Sequence, residues 1–199
     1  MEPTAELELD DIQSGVLRPR PTPYAATYIG FRIDDRKTGR ELMQRVSKVV
    51  TPAANPKGPL ADVSVSVAVT CKGLEALGVP QESIESLSSE FRQGMAARAH
   101  ELGDFGESAP ENWEQPLGSS DLHVVLVVVA PDDQQLEAAL DRARETTTTC
   151  QESKPSGVRT VMHWRPKKNN SDFETGSVIR RSKAAASREP IRKKNPSRP

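Results

Sequence analysis

Residues 122–129 read LHVVLVVV, the most apolar run in the chain. Eight residues fall well short of the roughly 20 needed to cross a bilayer, and so many β-branched side chains disfavour a helix. The run is therefore expected to be a central strand of a sheet. Behind it, Asp132 offers an N-cap, and Leu136, Ala139, Leu140 and Ala143 recur at helical spacing, which predicts a helix over 132–144. GVRTVMHW at 157–164 then supplies a last strand.

Ahead of the run, YAATYIGFRI at 24–33 is rich in aromatic and β-branched residues and ends at Asp34 and Asp35, which can lead into a helix. That helix is expected over 38–49, with Leu42, Val46 and Val49 on one face. Residues 63–70 alternate valine with small side chains, as a strand buried on one face does. A short helix at 72–77 follows, stopped by Gly78 and Pro80, and a longer one over 89–102 runs from Ser88 to Gly103. The resulting order is strand, helix, strand, helical insert, strand, helix, strand. This βαββαβ pattern predicts a ferredoxin-like α+β fold over residues 9–164, an antiparallel four-stranded sheet with helices on one face.

At 199 residues, one folded unit is the default. No run is long enough to span a membrane, and the first ten residues are acidic, so the reading is a soluble, cytoplasmic protein. Cys71 and Cys150 stand far apart without further partners, which makes them plain reduced thiols. The net charge of −1 conceals an asymmetry: residues 165–199 carry 11 Lys/Arg against 3 Asp/Glu, so the rest of the chain is acidic. With few apolar residues to bury, that basic tail is expected to be disordered. Its single aromatic, Phe173, argues against an arm that stacks on nucleic-acid bases.

Candidate chemistry is sparse. His100 sits among Arg98 and Glu101 as on a solvated helix face, His123 lies at the mouth of the apolar strand where a hydrogen-bonded structural role fits, and His163 alternates with Met162 and Trp164. Asp104, Glu107, Glu111 and Glu114 crowd the segment GDFGESAPENWE, and paired carboxylates do acid and base work only when burial splits their acidities. No phosphate loop, nucleophile triad or spaced metal set stands out. No catalytic or metal-ligating residue is nominated, and no cofactor-binding residue can be named.

Three stretches together resemble the N-terminal region of the dye-decolorizing-type heme peroxidases: DIQSGVL at 11–17, VSVSVAVTCKGLEALGVP at 63–80 and EFRQGMAARAHELGDFGESAPENW at 90–113. FRID at 31–34 and HVVLVVVAPD after the third stretch extend the similarity over roughly residues 9–164. The resemblance implies two ferredoxin-like halves. The second carries the heme site, with a GxxDG motif, a distal Arg and a proximal His. None of these can be placed on this chain. A complete member would use heme and hydrogen peroxide to oxidise dyes or other bulky organic reductants, and this chain is expected to be its truncated, inactive N-terminal half. Two rivals are a binding module whose basic arm contacts nucleic acid or an acidic partner, and a docking half whose uncovered face drives self-association.

One further expectation follows from the resemblance. Advancing the reading frame by two nucleotides lets residues 169–184 encode QFGFRDGIGDPAIEG with one consistent set of codons, and the junction of Phe173 with Glu174 forces the Arg. The result holds the motif that the family places next, so residues 165–199 are read as a frameshifted tail, with the change between about Val161 and Asn169.

Overall fold

A computed structural model describes residues 7–54, 62–148 and 157–165. Its elements are α1 (Ser14–Leu17), β1 (Ala25–Ile33), α2 (Arg36–Val46), β2 (Ser64–Val69), α3 (Cys71–Leu77), α4 (Gln81–Glu85), α5 (Ser89–Ala97), α6 (Ala99–Leu102), β3 (Val124–Ala130), α7 (Asp133–Thr148) and β4 (Val158–Trp164). Two 3-10 turns lie between α6 and β3.

The valine-rich run becomes β3 and takes a central place in the sheet order β2-β3-β1-β4. Every pairing is antiparallel, with Phe31 opposite Val124, Val65 opposite Val128 and Ile33 opposite Val158. The connection through α2 passes from β1 over β3 to β2, and the one through α7 passes from β3 over β1 to β4. This is the ferredoxin-like split arrangement expected from the element order. On the helical face Phe31, Ile33, Val65, Val124, Leu126 and Val128 meet Leu42 and Val46 of α2 and Leu136 and Leu140 of α7 in one buried cluster. Arg165 closes the far end of β4, donating to Glu137 Oε1 of α7 at 2.5 Å and to the buried Thr27 hydroxyl at 3.3 Å.

Local chemistry sets the helix ends. Asp35 accepts from Thr38 N at 2.9 Å, so α2 starts and stops two to three residues earlier than the apolar spacing implied. Thr70 accepts from Gly73 N at 3.0 Å, and Gly78 ends α3 at φ 74°. Asp132 accepts from Gln135 N at 2.8 Å, as expected, though α7 continues to Thr148. The single helix predicted over 89–102 is corrected to three short pieces. Gly94 adopts φ 75°, ψ 170°, which no helix holds, and the chain breaks again at Arg98 before α6. The strands match their predicted ranges to within two residues, and α1 and α4 were not expected. Cys150 and almost all of the basic tail, together with the shifted-frame reading made there, lie outside the described residues.

Candidate functional site

Successive strand residues point to opposite faces, so each side chain of the buried cluster has neighbours that point away from the helices. On that second face β1 places Tyr28 opposite Val127 and Gly30 opposite Val125, while β4 adds Trp164 opposite Tyr28 and Met162 opposite Gly30. Val125, Val127, Tyr28, Met162 and Trp164 are all half-buried. The Tyr28 and Trp164 rings lie 5.2 Å apart at 53°. Gly30 is required at the middle: a Cβ there would stand 2.7 Å from Leu122 Cδ1 and 2.9 Å from Met162 Cβ, so these two side chains close over bare backbone. Among the described residues this side of β1, β3 and β4 carries an apolar patch, while α1 lies against its β2 end, with Ser14 on Ser64 and Gly15 beside Ser66. The sequence signal of the patch is the alternation within residues 24–33 and a glycine inside a strand pattern.

One end of this face is ionic. Arg159 donates to Asp34 through Nε at 2.6 Å and Nη2 at 3.2 Å, Arg32 Nε donates to Asp34 at 2.9 Å, and Arg32 also pairs with Asp121. The cluster ties β1, β4 and the approach to β3 together. The hydrogen bond from Arg159 is the largest influence, and together with the Arg32 hydrogen bond and the two guanidinium charges it outweighs desolvation and holds the Asp34 carboxyl below the usual carboxylate range. A depressed folded-state value contributes stability above the unfolded value that is lost as pH falls through the folded one. Asp34→Asn is therefore expected to lower Tm near neutrality and to flatten the loss of Tm on acidification below about pH 4. Thermal melts of both proteins between about pH 7 and pH 2 check this. Parallel curves would remove Asp34 from the account.

The histidines and carboxylates weighed from the sequence lie elsewhere or are occupied. His123 Nδ1 accepts from Ile33 N at 2.9 Å and its Nε2 lies 3.0 Å from Ser120 O, which makes it the Nε2–H tautomer with both nitrogens engaged in structure. His100 is exposed, its ring edge-on to Phe105 at 5.4 Å. His163 pairs with Ile29, on the opposite side of β4 from Met162 and Trp164, and is exposed. Glu107, Glu111 and Glu114 are exposed and Asp104 is half-buried, in a loop ordered by Trp113 Nε1 donating to Ser108 O at 2.7 Å and Asn112 donating to Gly106 O at 2.8 Å. Exposure leaves three of those carboxylates without the burial that acid and base work requires. Cys71 is a buried free thiol. A shallow polar groove along α2 includes Arg36, Lys37 and Arg40, but the Arg40 guanidinium is committed to Leu77 O and Gly78 O, where it caps α3.

A heme needs an imidazole or comparable ligand free to bind iron inside a dry pocket. The described histidines do not fit this, since one has both nitrogens engaged and two are exposed. Among the described residues no group of His, Cys, Asp and Glu could hold a metal ion, and no helix is long and apolar enough to cross a membrane.

Comparison with known proteins places this geometry. No curated protein sequence matches the chain. Its fold is similar to that of a dye-decolorizing peroxidase solved with 2,6-dimethoxyphenol, at 21% identity and TM-score 0.62 over 84% of this chain and 36% of that one. It is likewise similar to an ancestral D-type dye-decolorizing peroxidase, at 24% identity and TM-score 0.64 over 81% and 35% of the two chains. A fungal DyP-type peroxidase from Auricularia auricula-judae matches at 19% identity and TM-score 0.61 over 84% and 35%. The chain thus spans about a third of the length of these proteins. The sequence pattern of the DyP dimeric alpha+beta barrel domain matches residues 11–166. Matched by that pattern over more than half of its length, and folded as a four-stranded antiparallel sheet with helices across one face, the chain belongs to the DyP-type peroxidase family.

Proposed function

We propose that this chain is the N-terminal half of a heme-dependent, peroxide-using DyP-type peroxidase, and that its uncovered sheet face packs against a second half that carries the heme ligands. The observation that supports this reading is the apolar face around Val125, Val127, Tyr28 and Trp164. Three strands, since α1 lies against β2 on this side, at about 4.8 Å spacing and six to seven residues at about 3.3 Å give a footprint of roughly 300 Å². A stable interface takes about 800 Å² per partner, so the second half must also cover apolar groups beyond the sheet. Such groups are present: Val16 and Leu17 on α1 are 72% and 47% exposed, and Met95 and Phe105 of the insert are 62% and 57% exposed.

The second half would hold the proximal and distal groups, and the shifted reading frame of residues 169–184 is where it would begin. Alone, the chain would be inactive and prone to self-association through the open face. The test is to sequence the gene across codons 155–199 and beyond, then express the frame-restored protein beside the present chain with hemin. The restored protein is expected to show a heme absorption band and peroxide-dependent oxidation of 2,6-dimethoxyphenol, and the present chain neither. An unshifted gene with a stop after Pro199, or equal heme binding by both proteins, would sink the reading.

A further inference from the structure

β2 is an edge strand, and its sequence SVSVAV has no charge, proline or glycine. Its register with β3 runs without a bulge from Ser64 to Val69. Edge strands ordinarily resist pairing with other chains through lysine, proline, bulges or a covering segment, and the first three are absent here. The outward main-chain groups of Val65 and Val67 are nonetheless all occupied. Thr51 N donates to Val65 O at 2.9 Å, and Val65 N donates to Thr51 Oγ1 at 3.0 Å. Two residues further along, Val67 N donates to Gln13 Oε1 at 2.7 Å and Gln13 Nε2 donates to Val67 O at 3.1 Å.

A primary amide has an N–H and a C=O that face the same side, so it can match the N–H and C=O that a single strand residue turns to one edge. Ala53, two residues beyond Thr51, gives its N–H to Ile12 O, so the backbone there does not continue the ladder toward Val67. Gln13 pairs with Pro52 instead and sends its side chain across. Its placement is fixed on both sides: Ala53 N donates to Ile12 O at 2.6 Å, Ser14 N donates to Thr51 O at 2.7 Å, and the hydroxyls of Ser14 and Ser64 lie 2.6 Å apart. A Cβ on Gly15 would stand 2.6 Å from Ser66 Oγ, so a side chain there would have to turn the Ser66 hydroxyl aside.

We infer that the Gln13 side chain is a strand-edge plug, which keeps β2 of one chain from pairing with β2 of a second copy. It acts at the edge of the sheet and not on its open face, so it is independent of the peroxidase reading. Without it, Val67 would present a free donor and acceptor on a neutral, β-branched edge, and two sheets could pair through the end of β2 beyond Val65, which Thr51 still holds.

The test uses the full chain, with amide exchange and sedimentation velocity over a range of concentrations. In Gln13→Ala the Val67 amide is expected to exchange about tenfold faster or more, with the amides between β1 and β3 unchanged. A concentration-dependent dimer absent from the wild type should accompany it. Gln13→Asn, one methylene too short to reach Val67, should behave the same way with less disturbance and serves if the alanine variant does not fold. Adding Ala68→Lys, which puts a charge on an exposed edge position, should abolish the extra dimer while leaving exchange fast. Unchanged exchange at Val67, faster exchange with no association, or a dimer indifferent to Ala68→Lys would each overturn the proposal.

Discussion

Leu126→Asp is expected to unfold the chain, whereas Val127→Asp, one residue further along β3, is expected to leave the isolated chain folded and to block its assembly with the second half proposed above. Leu126 is fully buried in the cluster beneath α2 and α7, so its replacement forfeits apolar packing and strands a carboxylate among hydrocarbon. Large-to-small loss alone costs about 2–5 kcal/mol, and an unpaired buried charge adds several more. Together these consume the ~5–15 kcal/mol that holds a domain folded. Val127 points the other way, opposite Tyr28 on the open face, where a carboxylate keeps contact with water. Once a second half covers that face, the same carboxylate becomes an uncompensated buried charge, worth about 3–5 kcal/mol, or a hundredfold or more in association. Circular dichroism melts of both variants, with co-purification of the second half, check the pair. A folded Leu126→Asp would refute the core assignment. Undiminished assembly by Val127→Asp would refute the docking face.

The second large effect comes from a single methyl group. Gly73→Ala is expected to lower Tm by about 10 °C, against the sign that helix propensity gives. In an open helix, alanine is better than glycine by roughly 1 kcal/mol. Here a Cβ would stand 2.1 Å from the His123 carbonyl oxygen and 2.8 Å from Val69 Cγ1. The first of these is backbone and cannot rotate away. That carbonyl also accepts from Thr70 N at 2.9 Å, so displacing it disturbs the start of α3 as well as the entry to β3. Overpacking of this kind costs about 1–3 kcal/mol or more, and each kcal/mol shifts Tm by about 2–8 °C in domains of this size. A calorimetric scan decides it. An unchanged or raised Tm would show that α3 can withdraw from β3 without loss.

The sheet and its helical face were legible because their signals are local. Period-two alternation marks β1 and β2, the valine run marks β3, and Asp35, Thr70, Ser88 and Asp132 cap helices within three residues of themselves. The break in the helix at Gly94 was not legible, because a glycine inside a helical pattern does not reveal which sign of φ it takes. The open face could be read only in part. Alternation gives two faces, but which one lies bare depends on where α2 and α7 cross. Gln13 and Asp34 were silent because their partners lie 54 and 125 residues away, distances over which no spacing rule operates.

The strand order also governs how the chain comes together during synthesis. β1 pairs only with β3 and β4, and β2 only with β3, so among the described strands no ladder can form until β3 is made. Ala25 waits for Ala130, about 100 residues behind it. At roughly 5–20 residues per second, a nascent β1 would leave the ribosome some 5–20 seconds before it has anything to pair with. The apolar alternation that specifies the sheet is therefore exposed to other chains throughout that interval, and β3 closes it by zipping up β1 on one edge and β2 on the other.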